Sequence, residues 1–321
     1  MAISPPSPPP TESEADAELA LTDPVCVLSF NACDPCGASG LTADITTIAS
    51  VGGHPLAVVT GTYVRDTNRI FDHHRLDDEW VSEQARAVLE DLPVRAIKVG
   101  FVGSPEILTV IAEISTDYPD IPIISYMPDL SWWDSDQMEQ YLDAFQELLL
   151  PQTSVLVGNH GTLWRWLLPD WEHSRPPTAR DLAMAAQEKD VPFVLVTGIP
   201  LPGQFVDNVL SSPETVLGSS KYELFDGSFI GAGDTLSAAL AALLATGNDL
   251  GAASEEALEY LDRCLDHGFR PGMGHFLPDR MFWAQPEDDE DTDATTPGGT
   301  ATPATTAPLE GFVMPPHDTK H

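Results

Sequence analysis

Short apolar runs alternate with longer amphipathic stretches along most of this chain. Residues 25–30 (VCVLSF) make a continuous apolar run of strand length. Residues 38–51 then place Leu41, Ile45, Ile48 and Val51 on one face at helical spacing. The same grammar repeats. Strands are predicted at 56–60, 96–99, 121–126, 154–157 and 193–196, and helices at 77–92, 105–117, 135–150, 161–168 and 178–189. A less regular, β-like stretch covers 204–230, and helices follow at 232–246 and 254–268. Strands alternating with helices imply right-handed βαβ units and a mostly parallel sheet covered on both faces. No internal repeat is evident.

The ends follow a different pattern. Residues 1–21 are rich in Pro and acids and read as a disordered arm. Residues 285–321 begin QPEDDEDTD and continue into TTPGGTATPATTAP, an acidic, low-complexity tail. One domain over 22–284 is expected between them. The N-terminus has neither a basic region nor an apolar core, so it does not read as a signal peptide. No stretch approaches 18 apolar residues, so no membrane span is expected, and a cytoplasmic location is.

Two loops carry candidate chemistry. The first, Gly231-Ala232-Gly233-Asp234, opens a long Ala/Leu-rich helix. Glycines there permit a tight turn and close approach of an anion. The first N–H groups of a helix lack intrahelical partners, and with the helix dipole they favour negative charge. Asp234 either caps this helix or takes a proton from a hydroxyl that attacks a phosphoryl group. The second loop runs from Asn31 to Asp44, after the first strand and into the first helix. It is either an ordinary connection or a ligand loop at the carboxyl end of a parallel strand.

Taken together, these segments resemble the hydroxymethylpyrimidine/phosphomethylpyrimidine kinases of thiamine synthesis, within the ribokinase-like superfamily. Cys33-Asp34-Pro35-Cys36-Gly37-Ala38-Ser39-Gly40-Leu41-Thr42-Ala43-Asp44 is similar to the family's SDPSGGAGIQAD. Lys98-Val99-Gly100-Phe101-Val102 is similar to its KIGML, and Gly231 to Ala242 to its GTGCTLSAALAA. The resemblance covers about residues 24–284 and keeps all three segments in order. It implies a ribokinase-like three-layer α/β/α sandwich. It also implies ATP-dependent phosphorylation of 4-amino-5-hydroxymethyl-2-methylpyrimidine, and of its monophosphate, with Mg²⁺. Under it, Gly231, Ala232 and Gly233 form the anion hole, and Asp234 is the base by similarity to the wider superfamily. Asp34, Ala38, Gly40, Asp44, Arg65 and Phe101 would bind the substrate, with Arg65 where the family has a Gln against the ring. Asn159, Thr197 and Gly198 would bind the nucleotide. A homodimer is implied as well. Phosphorylation of pyridoxal or pyridoxine is the alternative activity, and a catalytically weakened pyrimidine-binding regulator is the alternative class.

The chain departs from the family at three positions, and Thr162 and Thr197 motivate that last alternative. Thr162 stands where the family has a Glu that organises Mg²⁺, Thr197 where it has a phosphate-facing Lys, and Ser125 where it has an acid. Phosphoryl transfer depends on positioning and charge neutralisation, so other cations must serve, and Lys98, Arg65, Lys221 and Arg270 are candidates. The remaining features read more plainly. Cys33 and Cys36 have redox or zinc spacing, but there is no second pair. His73-His74 reads as a solvated loop. Trp132-Trp133 and Trp164/Trp166 sit near ligand-side loops, and His275 lies in a glycine turn near the nucleotide.

Charge sharpens the question of how a polyanion is held. The chain has 50 acids, 15 bases and a net charge of −35, and only four of the bases are Lys. This excludes a nucleic-acid or anionic-membrane surface. Setting aside the twelve acids and one Lys of the ends leaves 38 acids and 14 bases within 21–285, a net charge of −24. Adaptation to high salt and lineage composition both account for this. Adaptation predicts that thermal unfolding in molar KCl shifts upward relative to low salt; a flat or falling profile leaves composition as the explanation.

Overall fold

The computed structural model describes residues 24–284, so the expected arm (1–21) and tail (285–321) lie outside the described residues. Nine strands and eight α-helices follow one another: β1 (Cys26–Cys33), α1 (Gly40–Ser50), β2 (His54–Arg65), β3 (Ile70–Arg75), α2 (Asp78–Asp91), β4 (Val94–Val99), α3 (Pro105–Asp117), β5 (Ile123–Met127), α4 (Ser135–Ala144), β6 (Val155–Asn159), α5 (His160–Leu167), α6 (Ala179–Gln187), β7 (Phe193–Leu201), β8 (Phe205–Ser211), β9 (Val216–Glu223), α7 (Ala232–Ala245) and α8 (Leu250–Asp266). They build one sheet in the order β3-β2-β1-β4-β5-β6-β7-β8-β9. The six strands from β2 to β7 in that order are parallel, and β3, β8 and β9 each pair antiparallel with their inner neighbour at the two edges.

The sheet separates two hydrophobic layers. One packs Val81, Ile107, Tyr141, Leu163 and Leu182 of α2 to α6 against Leu28, Phe30, Ile97 and Val99. The other packs Ile48 of α1, Leu236 to Leu243 of α7 and Ala257 of α8 against Val27, Ala96 and Ile124. Side chains alternate across a strand, so the residues between Leu28 and Phe30 and between Ile97 and Val99 face the second layer. These are Ser29 and Lys98, polar residues paired in register on β1 and β4. That placement decides the chemistry of the site.

Helix starts follow local capping rules. Ser104 accepts from the Ile107 N–H ahead of Pro105, and Thr178 and Asp181 form a reciprocal capping box. Asp249 accepts from Ala252 N–H, so α8 begins four residues before its apolar pattern does. The expected helix 135–150 is α4 followed by a π turn (Phe145–Leu149) and a 3-10 turn (Leu150–Gln152), where Pro151 cannot donate a backbone hydrogen bond. The β-like stretch 204–230 contains the antiparallel pair β8 and β9.

The hairpin of β2 and β3 was not expected. Its second strand, IFDHHR, sits at the sheet edge and lacks a clean alternation. His73 and His74 are therefore on a strand rather than in a solvated loop. The His73 ring is 5.5 Å from Tyr63 and 5.0 Å from Phe101, and burial pushes its pKa down to about 4. The strand order reverses between β1 and β4, because β1 leads through α1 to β2 on one side while β4 lies on the other. In open α/β sheets, ligands bind at the carboxyl ends of strands beside such a reversal.

Candidate active site

A cavity of about 550 Å³ opens at that point. Asp234, Gly231, Ala232 and Gly233 line it together with Arg65, Asn159, Thr197, Trp132 and His275. The two loops singled out by the sequence thus meet, although about two hundred residues separate them.

The floor is a buried charge network. Lys98 has no solvent exposure, and its Nζ is 2.8 Å from Asp44 Oδ1 and 2.8 Å from Asp234 Oδ1. Asn31 donates to Asp44 Oδ2 and to Asp234 Oδ1, both at 2.9 Å. Ser29 donates to Asp44 Oδ2 at 2.6 Å. The Gly40 N–H donates to Asp234 Oδ2 at 3.1 Å. Gly100 follows β4 against Asn31, and a Cβ there would overlap the Asn31 amide, so glycine makes room for the network.

Burial alone would raise Asp234, but the charge and hydrogen bond of Lys98, with the donors Gly40 and Asn31, hold it below the usual carboxylate range. Burial pushes Asp44 above its ordinary value, opposed by Lys98 and reinforced by the Asp234 charge. Burial also disfavours the Lys98 ammonium, yet the two carboxylates outweigh it and keep the group charged. The network holds two carboxylates and one ammonium. Asp234 is therefore an anion at neutral pH, 8% exposed to the cavity. Its Oδ1 accepts two hydrogen bonds and its Oδ2 one, which leaves Oδ2 free to receive a proton.

Above Asp234 the backbone turns at Gly231, with φ +80°, and α7 begins. A Cβ at Gly231 would overlap the Ala38 carbonyl, and one at Gly233 would overlap the Tyr126 ring. The loop therefore needs glycine at both positions to lie this close to its neighbours. Asp34 organises the facing loop. It accepts from Cys36 N–H, Ser39 N–H and the Ser39 hydroxyl, and Arg65 lies 3.5 Å away. Arg65 also donates to the Ser39 hydroxyl at 2.8 Å. At the far end of the cavity, Asn159 and Thr197 are register partners on β6 and β7. Gly198, with φ +68°, leaves room for the Asn159 amide.

Several expected positions are corrected. Asp44 does not line the cavity; it is wholly buried beneath it as a partner of Lys98. Asp34, Ala38, Gly40 and Gly198 support the walls from behind and are not among the lining residues. Phe101 is 2% exposed and lies against Tyr63 (5.8 Å, stacked) and Trp132 (5.5 Å, edge-on), so it braces the wall. Of the four expected cations only Arg65 lines the cavity. Lys98 is enclosed, Lys221 lies over Phe205 on β8, and Arg270 is held by the carbonyls of Met273 and Gly274. Thr162 lines a separate cavity with Met127, Leu130 and Arg165. Ser125 is buried within β5 and bonds Thr153. Asp129, just past β5, reaches the cavity instead.

Arg69, Tyr126, Asp129 and Arg280 are residues at or behind the cavity that the sequence did not single out, and Asn31 stood there only as the first residue of its loop. The alternation of Asn31 with Ser29 on β1 is the signal that points it at the carboxylates, and it becomes legible once the facing helices are known. Cys33 and Cys36 are not joined in a disulfide, and burial with the adjacent Asp34 pushes the Cys36 thiol up to about 11. A thiol so high is not the thiolate that redox chemistry requires. Among the described residues, no group of three or more His, Cys, Asp or Glu is arranged to hold a metal ion. None of the described helices is long and apolar enough to cross a membrane.

Replacing Lys98 by Met leaves two carboxylates buried without a cation. Chemical denaturation of Lys98→Met is expected to show a loss of about 3–5 kcal/mol, and Asp44→Asn added to it restores part of that loss. Full stability in the single variant would contradict the network.

Comparison with known proteins agrees with this geometry. The hydroxymethylpyrimidine/phosphomethylpyrimidine kinase of Mycobacterium bovis is 30% identical over 264 residues, which cover 78% of this chain and 92% of that protein. The thiamine biosynthesis multifunctional protein ThiED of Corynebacterium glutamicum is 28% identical over 257 residues, covering 77% of this chain but 32% of that longer protein. Among solved structures, the phosphomethylpyrimidine kinase of Clostridium difficile has a TM-score of 0.61 at 22% identity, over 74% of this chain and 99% of its own. Staphylococcus aureus pyridoxal kinase in complex with AMP-PCP and pyridoxal has a TM-score of 0.72 at 19% identity, over 82% and 96%. At such identities the likeness bears on the fold, which is the ribokinase-like sandwich expected from sequence. A family model described as phosphomethylpyrimidine kinase matches residues 34–279, and on that match the chain belongs to the phosphomethylpyrimidine kinase family.

Proposed function

We propose that this protein transfers the γ-phosphoryl group of ATP to the hydroxymethyl group of 4-amino-5-hydroxymethyl-2-methylpyrimidine. The observation that carries this reading is the Asp234 carboxylate. It is held as an anion by Lys98 at the start of α7, beside the N–H groups of Gly231 to Gly233. Those residues line one wall of a cavity whose other walls carry Arg65, Tyr126 and Trp132.

The substrate hydroxyl loses its proton to Asp234 Oδ2 as its oxygen forms a bond to the γ-phosphorus. The bond from that phosphorus to the bridging oxygen breaks, and ADP leaves with the electron pair. A carboxylate of depressed pKa is a weak base. It accepts the proton only as the new P–O bond develops, which suits a loose phosphoryl-transfer transition state. The helix-start N–H groups stabilise charge on the transferred group without reorganising.

Magnesium favours oxygen ligands, one or two carboxylates, and the phosphates themselves. The Asp129 carboxylate and the Asn159 amide both line the cavity and fit that donor set. Asp129 already accepts from Ser131 and from Arg165 at 3.3 Å, which fixes its direction. These two residues would hold Mg²⁺, which when bound neutralises phosphate charge. Asp129 thereby answers the missing Glu at Thr162, and this favours an active kinase over a weakened regulator.

A coupled ADP-release assay with the hydroxymethylpyrimidine, its monophosphate and pyridoxal tests the reading. Turnover is expected with the pyrimidine, and preference for pyridoxal would replace it by the alternative kinase. Asp234→Asn is expected to lower kcat by about 10²–10⁴-fold while calorimetry still detects acceptor binding. Wild-type turnover in that variant would rule out Asp234 as the base. Asp129→Asn is expected to raise the Mg²⁺ concentration for half-maximal rate by about tenfold, with the acceptor KM unchanged. An unaltered Mg²⁺ profile would remove Asp129 from the metal site.

A further inference from the structure

Arg280 lies behind the anion loop, 6% exposed, in the segment that follows the last helix. Its own backbone is pinned from two sides. The Arg280 carbonyl accepts from the Ser50 hydroxyl at 2.6 Å and from the Tyr260 hydroxyl at 2.8 Å. These tie it to the end of α1 and to α8.

The guanidinium reaches into the seam between the two active-site loops. Its Nε donates to the Thr235 hydroxyl at 2.8 Å, and Thr235 in turn donates to the Gly231 carbonyl at 2.8 Å. Its Nη2 donates to the Ala38 carbonyl at 2.5 Å and its Nη1 to the Gly37 carbonyl at 3.2 Å. A Cβ built at Gly231 would come within 2.7 Å of Nη2. One side chain therefore clamps the first turn of α7 to the loop that follows β1.

Its partners in this seam are two carbonyls and a hydroxyl, not a carboxylate. Burial disfavours its charge, with the more distant Asp234 carboxylate opposing that effect. A guanidinium nevertheless stays protonated at neutral pH. A positive charge thus sits, with no carboxylate in contact among the described residues, directly behind the Gly231–Gly233 loop that lines the cavity. In a domain of net charge −24 over 21–285, a phosphate-facing Lys is replaced by Thr197 and Lys98 is consumed by two carboxylates. Arg280 places a cation where the cavity's polyanion would need one.

We propose that Arg280 is a positioning residue for phosphoryl transfer. It locks the Gly231–Gly233 loop onto Gly37 and Ala38 and adds a fixed positive charge behind the anion hole. This rests on the kinase reading of the cavity. It differs from that reading in the residue it names and in what that residue does. Arg280 is not among the residues lining the cavity, so it acts through the loop it holds.

The test compares wild type with Arg280→Met, Arg280→Lys and Thr235→Val. It measures steady-state kinetics and thermal unfolding, and calorimetry with ATP and with adenosine. Arg280→Met is expected to lower kcat by about 100-fold while the acceptor KM changes less than about threefold. It is also expected to weaken ATP about tenfold and leave adenosine unaffected. Arg280→Lys keeps the charge and is expected to recover at least about a tenth of kcat. Thr235→Val keeps the charge but removes one clamp contact, and is expected to lower kcat by about tenfold with ATP affinity retained. If Arg280→Met does not fold, Arg280→Lys and Thr235→Val carry the same split. The proposal is overturned if Arg280→Met keeps kcat within about twofold of wild type. It is also overturned if Met and Lys variants lose kcat, both KM values and thermal stability alike, which marks a purely structural role. If wild type turns over none of the three acceptors, the kinase reading fails. The Arg280 inference is then decided by the ATP-to-adenosine comparison alone.

Discussion

The ammonium of Lys98, shut away from solvent between Asp44 and Asp234, is the contact on which the active site depends. A lone buried charge of either sign carries a desolvation cost of several kcal/mol, so none of these three groups is tolerable without the others. Each comes from a different element: Lys98 from β4, Asp44 from α1 and Asp234 from α7. Satisfying the charges therefore fixes where the two helices sit on the sheet. Asn31 couples the carboxylates a second time through a single amide. Asp234 is thus held by the same interaction that seats its helix.

The fold was legible because its signals are local. The apolar run at 25–30 and the Pro105 start of α3 need no knowledge of the rest of the chain. The hairpin of β2 and β3 was illegible for the opposite reason. Its edge strand is polar and gains its partners only from β2. At the site, the helix-start loop and Asp234 were legible because glycine spacing and an acid in a first turn carry chemistry by themselves. Asp44 and Lys98 were visible as residues, but their pairing was not, since it depends on which face of β4 meets α1. Arg280 gave no sign at all. Its meaning comes from two loops that lie about 45 and 240 residues away.

Under the proposed kinase reading, acidity and anion binding are reconciled by distribution rather than by total charge. The cations that matter are few and each is fixed by neighbours. Arg65 leans on Asp34 and Ser39, and Arg280 on backbone carbonyls. A strongly acidic surface repels a polyanion at long range, and salt shortens that reach to about 10 Å or less at physiological ionic strength. Inside the cavity the separations are a few ångströms, and oriented N–H groups act there with little competition from solvent.

The wide sequence spacing of the clamp also orders events in time. Ala38 and Arg280 are 242 residues apart. At roughly 5–20 residues per second of synthesis, the first loop exists for about 12–48 s before its clamp is made. Asp44 and Lys98 are only 54 residues apart, so they can neutralise each other early in that interval. Asp234 arrives afterwards and brings the excess negative charge of the network. The nascent chain can thus carry a neutral pair over the 136 residues between Lys98 and Asp234, and the third charge joins it only after that.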